Sequence, residues 1–518
     1  MSRQIYSRKG AGGEKWQPRI PLVVLMGIMC AAAMYIPALH ALAFDDHRPA
    51  RIFFYYGTFL LFIAGAVGVA TANHRSAKPA RAQLLSIAGV FTVLPLFLAL
   101  PFREVVGNTT YLNAVLEMVS ALTTTGATLF DDPDRLPLSL HVWRALVAWL
   151  GGLFMWVAAV AILAPLRLGG FEVSTPRRQQ AETRPTTGLD QVISPEVRMW
   201  RAARTMGPIY LFLTLNLALI LMLAGDDPTT AAIHAMSTLS TSGISAVGGL
   251  QDAVSGRAGE VAVFLFLIFA VSRQTFAAEW RKGHLGLLRD DRELRIAAFF
   301  VAAVPLALFA RHWTGALEVR LEDDMLQGLE ALWGAMFTVL SFLTTTGFES
   351  SGWTAAQYWS GLSTPGLLLM GLSVLGGGVA TTAGGVKLLR VYALYRHGRQ
   401  EMALLVEPHA VAGVKSESRR VHPEGAQAAW IFFMLFAMSI AGLSALFALS
   451  GVSFEAAMVM TVAGLSTTGP LLSVAMEGGV QLSDQNTATK IIFAGAMVLG
   501  RLETLAIIAL LNPEFWRR

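Results

Sequence analysis

Four short strings carry the residue types that can hold a cation stripped of water: Leu122-Thr-Thr-Thr-Gly126, Leu239-Ser-Thr-Ser-Gly243, Leu343-Thr-Thr-Thr-Gly347 and Leu465-Ser-Thr-Thr-Gly469. All fit Leu-[Ser/Thr]-Thr-[Ser/Thr]-Gly, and their glycines are separated by 117, 104 and 122 residues. An ion leaving water must exchange its hydration shell for protein oxygens, and rings of backbone carbonyls supply them without a fixed negative charge. Successive carbonyls turn to one axis only in an unusual backbone conformation, which glycine adopts cheaply. The hydroxyls of Thr123, Thr124, Thr125, Ser240, Thr241, Ser242, Thr344, Thr345, Thr346, Ser466, Thr467 and Thr468 add oxygens that coordinate an ion or brace the turn. Together with Gly126, Gly243, Gly347 and Gly469 they are expected to form a filter for K+, neutral and weak enough to release the ion. The negative C-termini of helices aimed at such a site would add attraction for a cation.

The segments before these turns, near 111–122, 229–239, 326–343 and 454–465, are apolar. They are too short to cross about 30 Å of hydrocarbon and end in turn-forming residues. Longer apolar stretches flank them, near 85–101, 139–164, 204–224, 259–281, 292–311, 364–390, 425–450 and 487–511. A short helix that enters and leaves from one side fits this order, since irregular backbone at membrane depth must be buried in protein or line water. A Ser/Thr/Gly cluster in a membrane protein is ordinarily a packing seam. The string Arg184-Pro-Thr-Thr-Gly188, in a basic loop, is no filter. Four copies at the same point of one long unit argue instead for an internal repeat. The expected fold is an all-α integral membrane protein. It has four helix–re-entrant pore loop–helix repeats in pseudo-fourfold arrangement around one pore, plus an N-terminal two-helix hairpin. The parts are 1–80 (polar tail and hairpin), 81–170, 171–285, 286–400 (with an intramembrane loop) and 401–518.

Composition agrees with that class. Of 518 residues, 54% are hydrophobic and only 14% charged, where soluble proteins carry about 25%. A net charge of +5 is too small for a nucleic-acid binder. With Cys30 as the only cysteine, neither an intrachain disulfide nor a cysteine-based zinc site is possible. The basic residues gather in loops: Arg167, Arg177, Arg178, Arg184, Arg198, Arg201 and Arg204; Arg281, Lys282, Arg289, Arg292 and Arg295; Arg390, Arg396, Arg399, Lys415, Arg419 and Arg420. The opposite loops are acidic, with Asp131, Asp132, Asp134, Asp226, Asp227, Glu322, Asp323 and Asp324. The positive-inside rule puts the basic loops and both termini in the cytoplasm, so the turns enter from outside.

Two charges interrupt the apolar pattern. Lys387 follows Gly376-Gly-Gly-Val-Ala-Thr-Thr-Ala-Gly-Gly-Val386, a run too rich in glycine to continue a helix. It is no phosphate loop, because Gly-Lys-Ser/Thr and a preceding strand are absent. Lys387 can also be read as the start of the cytoplasmic end, with Arg390. Arg501 lies within 491–511, where an arginine costs at least about 2.5–3.5 kcal/mol and so faces a cavity or a partner.

The chain resembles the Trk/Ktr/HKT superfamily of potassium transporters, most closely the bacterial Trk pore-forming subunits. Besides the four turns, the resemblance rests on Trp143-Arg-Ala-Leu-Val-Ala-Trp-Leu-Gly-Gly152, Ala161-Ile-Leu163 opening toward Gly169-Gly170, and Ile209-Tyr-Leu-Phe-Leu-Thr214. It rests also on Gly376-Gly-Gly378 with Gly384-Gly-Val-Lys387, Leu499-Gly-Arg-Leu-Glu503 and Asn512-Pro-Glu-Phe-Trp516. It implies potassium uptake across the bacterial inner membrane, a homodimer, and a cytosolic nucleotide-binding (TrkA-type) regulatory ring. No cofactor beyond the transported ion is implied, with Rb+ and Na+ as further ions. It also implies a gate: the loop Gly376, Gly377, Gly378, Gly384, Gly385 and Lys387 beneath the filter, with Arg501 holding it. The chain departs from the family pattern at Ser242, Ile244, Glu349 and Ser272-Arg-Gln-Thr275, which bear on K+ over Na+ selectivity. Glu349 reads equally as a cation-concentrating charge or as a solvated rim charge.

Ion-coupled symport is the alternative mechanism, with Glu117, Glu330, Glu455 and Glu503 as its few candidate carboxylates. The first three are expected at an outer cation vestibule. An enzyme is not expected, since His-Glu-x-x-His is absent and His141 and His234 have no evident nucleophile or metal partner.

Overall fold

The computed structural model describes residues 21–72, 79–165, 170–171, 195–272, 291–315, 325–362, 364–406, 423–476 and 478–503. Several residues singled out above lie outside these: the terminal segments 1–20 and 504–518, Gly169, the string at 184–188, Arg273 to Thr275, and Glu322, Asp323 and Asp324. So do the basic residues Arg167, Arg177, Arg178, Arg281, Lys282, Arg289, Lys415, Arg419 and Arg420.

Among the described residues every regular element is a helix. Seven are long and apolar enough to cross a membrane: Leu22–Ala43, His47–Thr71, Ala82–Val106, Leu138–Leu163, Val197–Leu223, Arg292–Arg311 and Gly425–Leu449. At 1.5 Å per residue, such lengths match about 30 Å of hydrocarbon. The first two form the N-terminal hairpin, which packs on the rest through rings such as Phe53 against Trp143, 5.7 Å between centroids.

The order long, short, long then recurs. The short helices are Tyr111–Leu122, Pro228–Ser240, Met325–Leu343 and Phe454–Ser466, at or within one residue of the boundaries read from sequence. Three start where a side chain caps the free amides: Thr110 accepts from Asn113 N, Asp227 from Thr229 N, and Ser453 from Ala456 N. The helices that follow are Leu138–Ala158, Gly256–Leu267, Pro365–Leu375 and Thr487–Leu502.

Small residues bring these following helices onto the ends of the short ones. A methyl group on Gly151 would overlap the Leu122 carbonyl oxygen, and one on Gly500 would overlap that of Leu465. In the third unit Ser373 Oγ donates to Phe342 O at 3.3 Å. Tyr210 is fully buried between Trp149 and Trp156, with centroids 5.0 and 5.9 Å away, and Trp149 Nε1 donates to Thr214 Oγ1 at 2.9 Å. Hence the Trp143–Gly152 and Ile209–Thr214 strings form one seam.

Several elements differ from expectation, among them the helices Leu388–Val406 and Leu471–Val474, which were not read from sequence. Of the stretch read as one helix over 259–281, the described part is α-helical over Gly256–Leu267 and 3-10 over Ile268–Ala270, and 273–281 lie outside the described residues. Within the 3-10 turn, Ala270 O accepts from Gly378 N at 3.1 Å. An additional helix, Trp353–Ser360, follows the third turn and ends on the left-handed Gly361.

Candidate functional site

All four turns share one local construction. In each, the N–H of the second residue donates to the carbonyl three residues back and that of the third to the carbonyl five back. These bonds are Thr124→Ala121 and Thr125→Ser120, Thr241→Thr238 and Ser242→Ser237, Thr345→Phe342 and Thr346→Ser341, Thr467→Gly464 and Thr468→Ala463. This double bond closes helices on a left-handed residue, normally glycine. Here the left-handed residue is threonine every time: Thr124, Thr241, Thr345 and Thr467 have φ of 56°, 54°, 58° and 54°. A β-branched residue held there costs about 1–3 kcal/mol, and such strain persists where the surroundings over-determine it.

The hydroxyls supply the over-determination. The first residue of each string donates its hydroxyl four residues back: Thr123 to Val119 O, Ser240 to Met236 O, Thr344 to Leu340 O and Ser466 to Val462 O. The first and third hydroxyls also meet, at 2.8 Å for Thr123–Thr125 and 3.1 Å for Ser240–Ser242, Thr344–Thr346 and Ser466–Thr468. Positions one and three therefore brace the turn. Position two varies: among the described residues the buried hydroxyls of Thr124 and Thr467 have no hydrogen-bond partner, while that of Thr241 donates to Ser240 O at 2.7 Å. That of Thr345 accepts from Gly384 N at 2.7 Å.

The turns meet one another in a cycle. A methyl group on Gly126 would overlap Ser242 O, and one on Gly243 would overlap Thr346 O. One on Gly347 would stand 2.7 Å from Pro470 Cγ, and one on Gly469 would overlap Ala127 N. Gly469 N donates to Thr125 O at 2.6 Å, so the fourth turn joins the first. Gly126, Gly243 and Gly347 have positive φ of 74°, 67° and 85°, whereas Gly469 does not.

The run after Pro365–Leu375 crosses the base of this cluster. Gly376 ends the helix with φ 72° and ψ 179°, and helix resumes at Leu388. The intervening loop touches three turns. Thr382 Oγ1 donates to Leu239 O at 3.0 Å, and Gly384 N to Thr345 Oγ1. A methyl group on Gly384 would overlap Ser466 O and Thr467 Oγ1. Gly376 and Gly385 close against each other, at a distance a side chain would not allow. Gly377 and Gly378 lie on the carbonyls of Ala270 and Val271. Buried Arg501 donates through Nη1 to Thr382 O at 2.7 Å, its Nε and Nη2 otherwise unpartnered. Lys387 is buried, with φ 82°, and its ammonium donates to Ala383 O. It is the last residue of the loop before the helix Leu388–Val406.

Comparisons with known proteins follow the same lines. The profile of the TrkH family, described as "Cation transport protein", matches residues 53–249 and 296–517. The chain belongs to the TrkH family. It is similar to the "Trk system potassium uptake protein TrkH" of Halomonas elongata, 31% identical over 95% of this chain and 98% of the relative. It is 30% identical to the protein of that name in Escherichia coli K12, over 96% and 98% of the two chains. Its structure resembles the crystal structure of the potassium transporter TrkH from Vibrio parahaemolyticus with a TM-score of 0.79 and 28% identity. The match covers 97% of this chain and all of that one. This TrkH-family chain is therefore a multi-pass membrane protein of a transporter family, not an enzyme.

Of the isolated carboxylates, Glu117 is the one whose burial differs from the sequence reading. Glu117 is not at a vestibule: it is buried, with Oε2 3.0 Å from Arg144 Nε. Glu330 pairs with Arg257 near the surface, and Glu455 is exposed. Glu503 pairs with Arg390, Oε2 to Nη2 at 2.7 Å, while the Arg390 guanidinium lies 3.7 Å above the Phe432 ring. His234 does have neighbours: Ser245 Oγ at 2.9 Å and Asp226 Oδ2 at 3.9 Å. Glu349, two residues beyond the third turn and outside the spanning helices, is half-buried. Burial, then the nearby Asp252 carboxylate, pushes its carboxyl up to about 7. Buried Glu260 and Glu293 were not singled out from sequence. The signal that marks Arg501, a charge inside an apolar helix, marks Glu260 as well.

Proposed function

We propose that this protein takes up K+ through a carbonyl-lined filter with an intramembrane loop as its gate, in channel-like fashion. The observation that carries the reading is the fourfold recurrence of one braced, strained turn whose copies abut in a closed cycle, with a glycine-rich loop lying across it. Four re-entrant repeats around one pore, bounded as 81–170, 171–285, 286–400 and 401–518, fit that recurrence. In this reading the carbonyls of the four strings take the ion. The buried Thr124 and Thr467 hydroxyls, without a hydrogen-bond partner among the described residues, are further oxygens that such an ion could take. The loop 376–387 obstructs the path below, and Arg501 both holds it and repels cations. The relatives named for Trk system potassium uptake support K+ as the ion. Inward orientation of the basic loops, a homodimer, and a TrkA-type regulatory ring belong to the same reading. Coupled symport finds less support: Glu117, Glu330 and Glu503 each face an arginine, and Glu455 faces outward.

The test is Rb+ uptake into proteoliposomes under an imposed potential with no H+ or Na+ gradient. Wild type should carry K+-selective flux, Gly126→Ser should lose selectivity, and Arg501→Ala should raise flux. Flux that waits for a proton or sodium gradient would overturn the channel reading.

A further inference from the structure

Beyond each of the first three turns, a buried ionisable side chain holds the segment that leaves the glycine. Behind the first, Glu117 Oε1 accepts from Thr128 Oγ1 at 2.8 Å and from Leu129 N at 2.5 Å. Behind the second, His234 Nε2 lies 2.9 Å from Ser245 Oγ. Behind the third, Glu260 Oε2 accepts from Ser350 Oγ at 2.7 Å and Trp333 Nε1 at 2.8 Å, and Oε1 accepts from Ser351 N at 2.7 Å. The held residues stand two to four positions past Gly126, Gly243 and Gly347. The fourth turn runs instead into Pro470 and the helix Leu471–Val474, where the proline ring itself limits the chain.

These three differ in charge. Glu117 is neutralised by Arg144, and His234 has Asp226 beside it. Glu260 is fully buried, and among the described residues only neutral donors reach it. It also sits on Gly256–Leu267, the last helix of the second unit, yet its partners belong to the third. A buried carboxylate without a cation is costly unless its oxygens are well bonded. Its cost is offset here by three donors, two of which, Ser350 Oγ and Ser351 N, lie on the segment leaving the third turn.

We propose that Glu260 is a positioning residue for ion selectivity: by holding Ser350 and Ser351 from the neighbouring unit, it sets the position of the Gly347 carbonyl and so the width of the third wall of the filter. The proposal rests on the filter reading above. Carbonyls a few tenths of an ångström out of place lose their preference for one ion size, while the remaining braces keep the turn folded.

The test is the K+/Na+ flux ratio in proteoliposomes, with elution profile and melting temperature in detergent as measures of folding. Glu260→Gln keeps the shape but loses the charge and one acceptor. It should lower the ratio severalfold, because the Ser351 N–H or the Ser350 hydroxyl loses its carboxylate acceptor. Ser350→Ala, which removes one donor on the segment, should lower the ratio in the same direction. Trp333→Phe removes the donor on the short helix and should lower the melting temperature with the ratio kept. A ratio that stays at the wild-type value in Glu260→Gln and Ser350→Ala would overturn the proposal, as would a ratio that falls equally in Trp333→Phe. Should Glu260→Gln not assemble, Ser350→Ala against Trp333→Phe decides alone. Wild type without K+ preference would instead sink the filter reading.

Discussion

At the scale of single residues, the four threonines with positive φ are the least expected feature. Glycine is the cheap residue there, and replacing it with threonine stores strain at four equivalent points. The hydroxyl is what threonine adds, and at Thr124 and Thr467 it is buried without a partner. Glu349 makes the residue-scale prediction. Its carboxyl, pushed up to about 7 by burial and by Asp252, is anionic above that value and neutral below. A charge that draws cations to the outer mouth is then lost on acidification. Uptake at subsaturating K+ should therefore fall severalfold as external pH drops from 8 to 6. In Glu349→Gln it should be low and flat. A wild-type rate indifferent to external pH would identify Glu349 as a rim charge of no consequence.

At the scale of elements, the loop between Leu375 and Leu388 is held at both ends and across its middle. Val386 N, Lys387 N and Leu388 N donate to Val374 O, Leu375 O and Gly377 O, so the chain returns to where it left the helix. Val379 N donates to the buried Glu293 carboxylate at 2.7 Å. Gly384 fits beneath the third and fourth turns because it has no side chain. Gly384→Ala should displace the loop from both turns and raise basal Rb+ flux in proteoliposomes. It should leave the protein folded, since the ion pairs outside the loop are untouched. A flux equal to that of wild type would mean that the loop does not gate.

At the scale of the whole molecule, contacts far apart in sequence close the assembly. Gly469 N reaches Thr125 O, His40 reaches Thr229 Oγ1 at 3.2 Å, and Arg390 reaches Glu503 across 113 positions. Removing one member of a buried pair leaves an uncompensated charge, at a cost of about 3–5 kcal/mol, whereas removing both can be nearly neutral. Arg390→Met should therefore melt well below wild type in detergent, and Arg390→Met with Glu503→Met should regain most of the loss. A double variant no more stable than Arg390→Met would show that the uncompensated Glu503 charge is not what destabilises the single variant. Arg390 lies in the first turn of the helix that follows the loop 376–387 and Glu503 caps the helix that carries Arg501, so the pair ties two segments far apart in the chain.

How much of this was legible follows from the range of each interaction. Helix positions, the short segments and the break after Leu375 were readable because hydropathy, capping residues and glycine runs act within a few residues. The four strings were found because the pattern repeats. Their left-handed threonines were not, since threonine carries no local signal for positive φ and glycine is the residue expected there. The change from α to 3-10 geometry after Leu267 lies where Gly378, more than a hundred positions away, donates to Ala270 O. Glu117 was read as a vestibule acid because a sequence shows a charge but not the arginine facing it. The amino-acid sequence by itself determined the membrane class, the helices and the recurring oxygen-rich turns, all local or periodic properties. Only the tertiary structure decided which turns abut, which carboxylates are neutralised and what holds the loop, because those depend on backbones brought together across the fold.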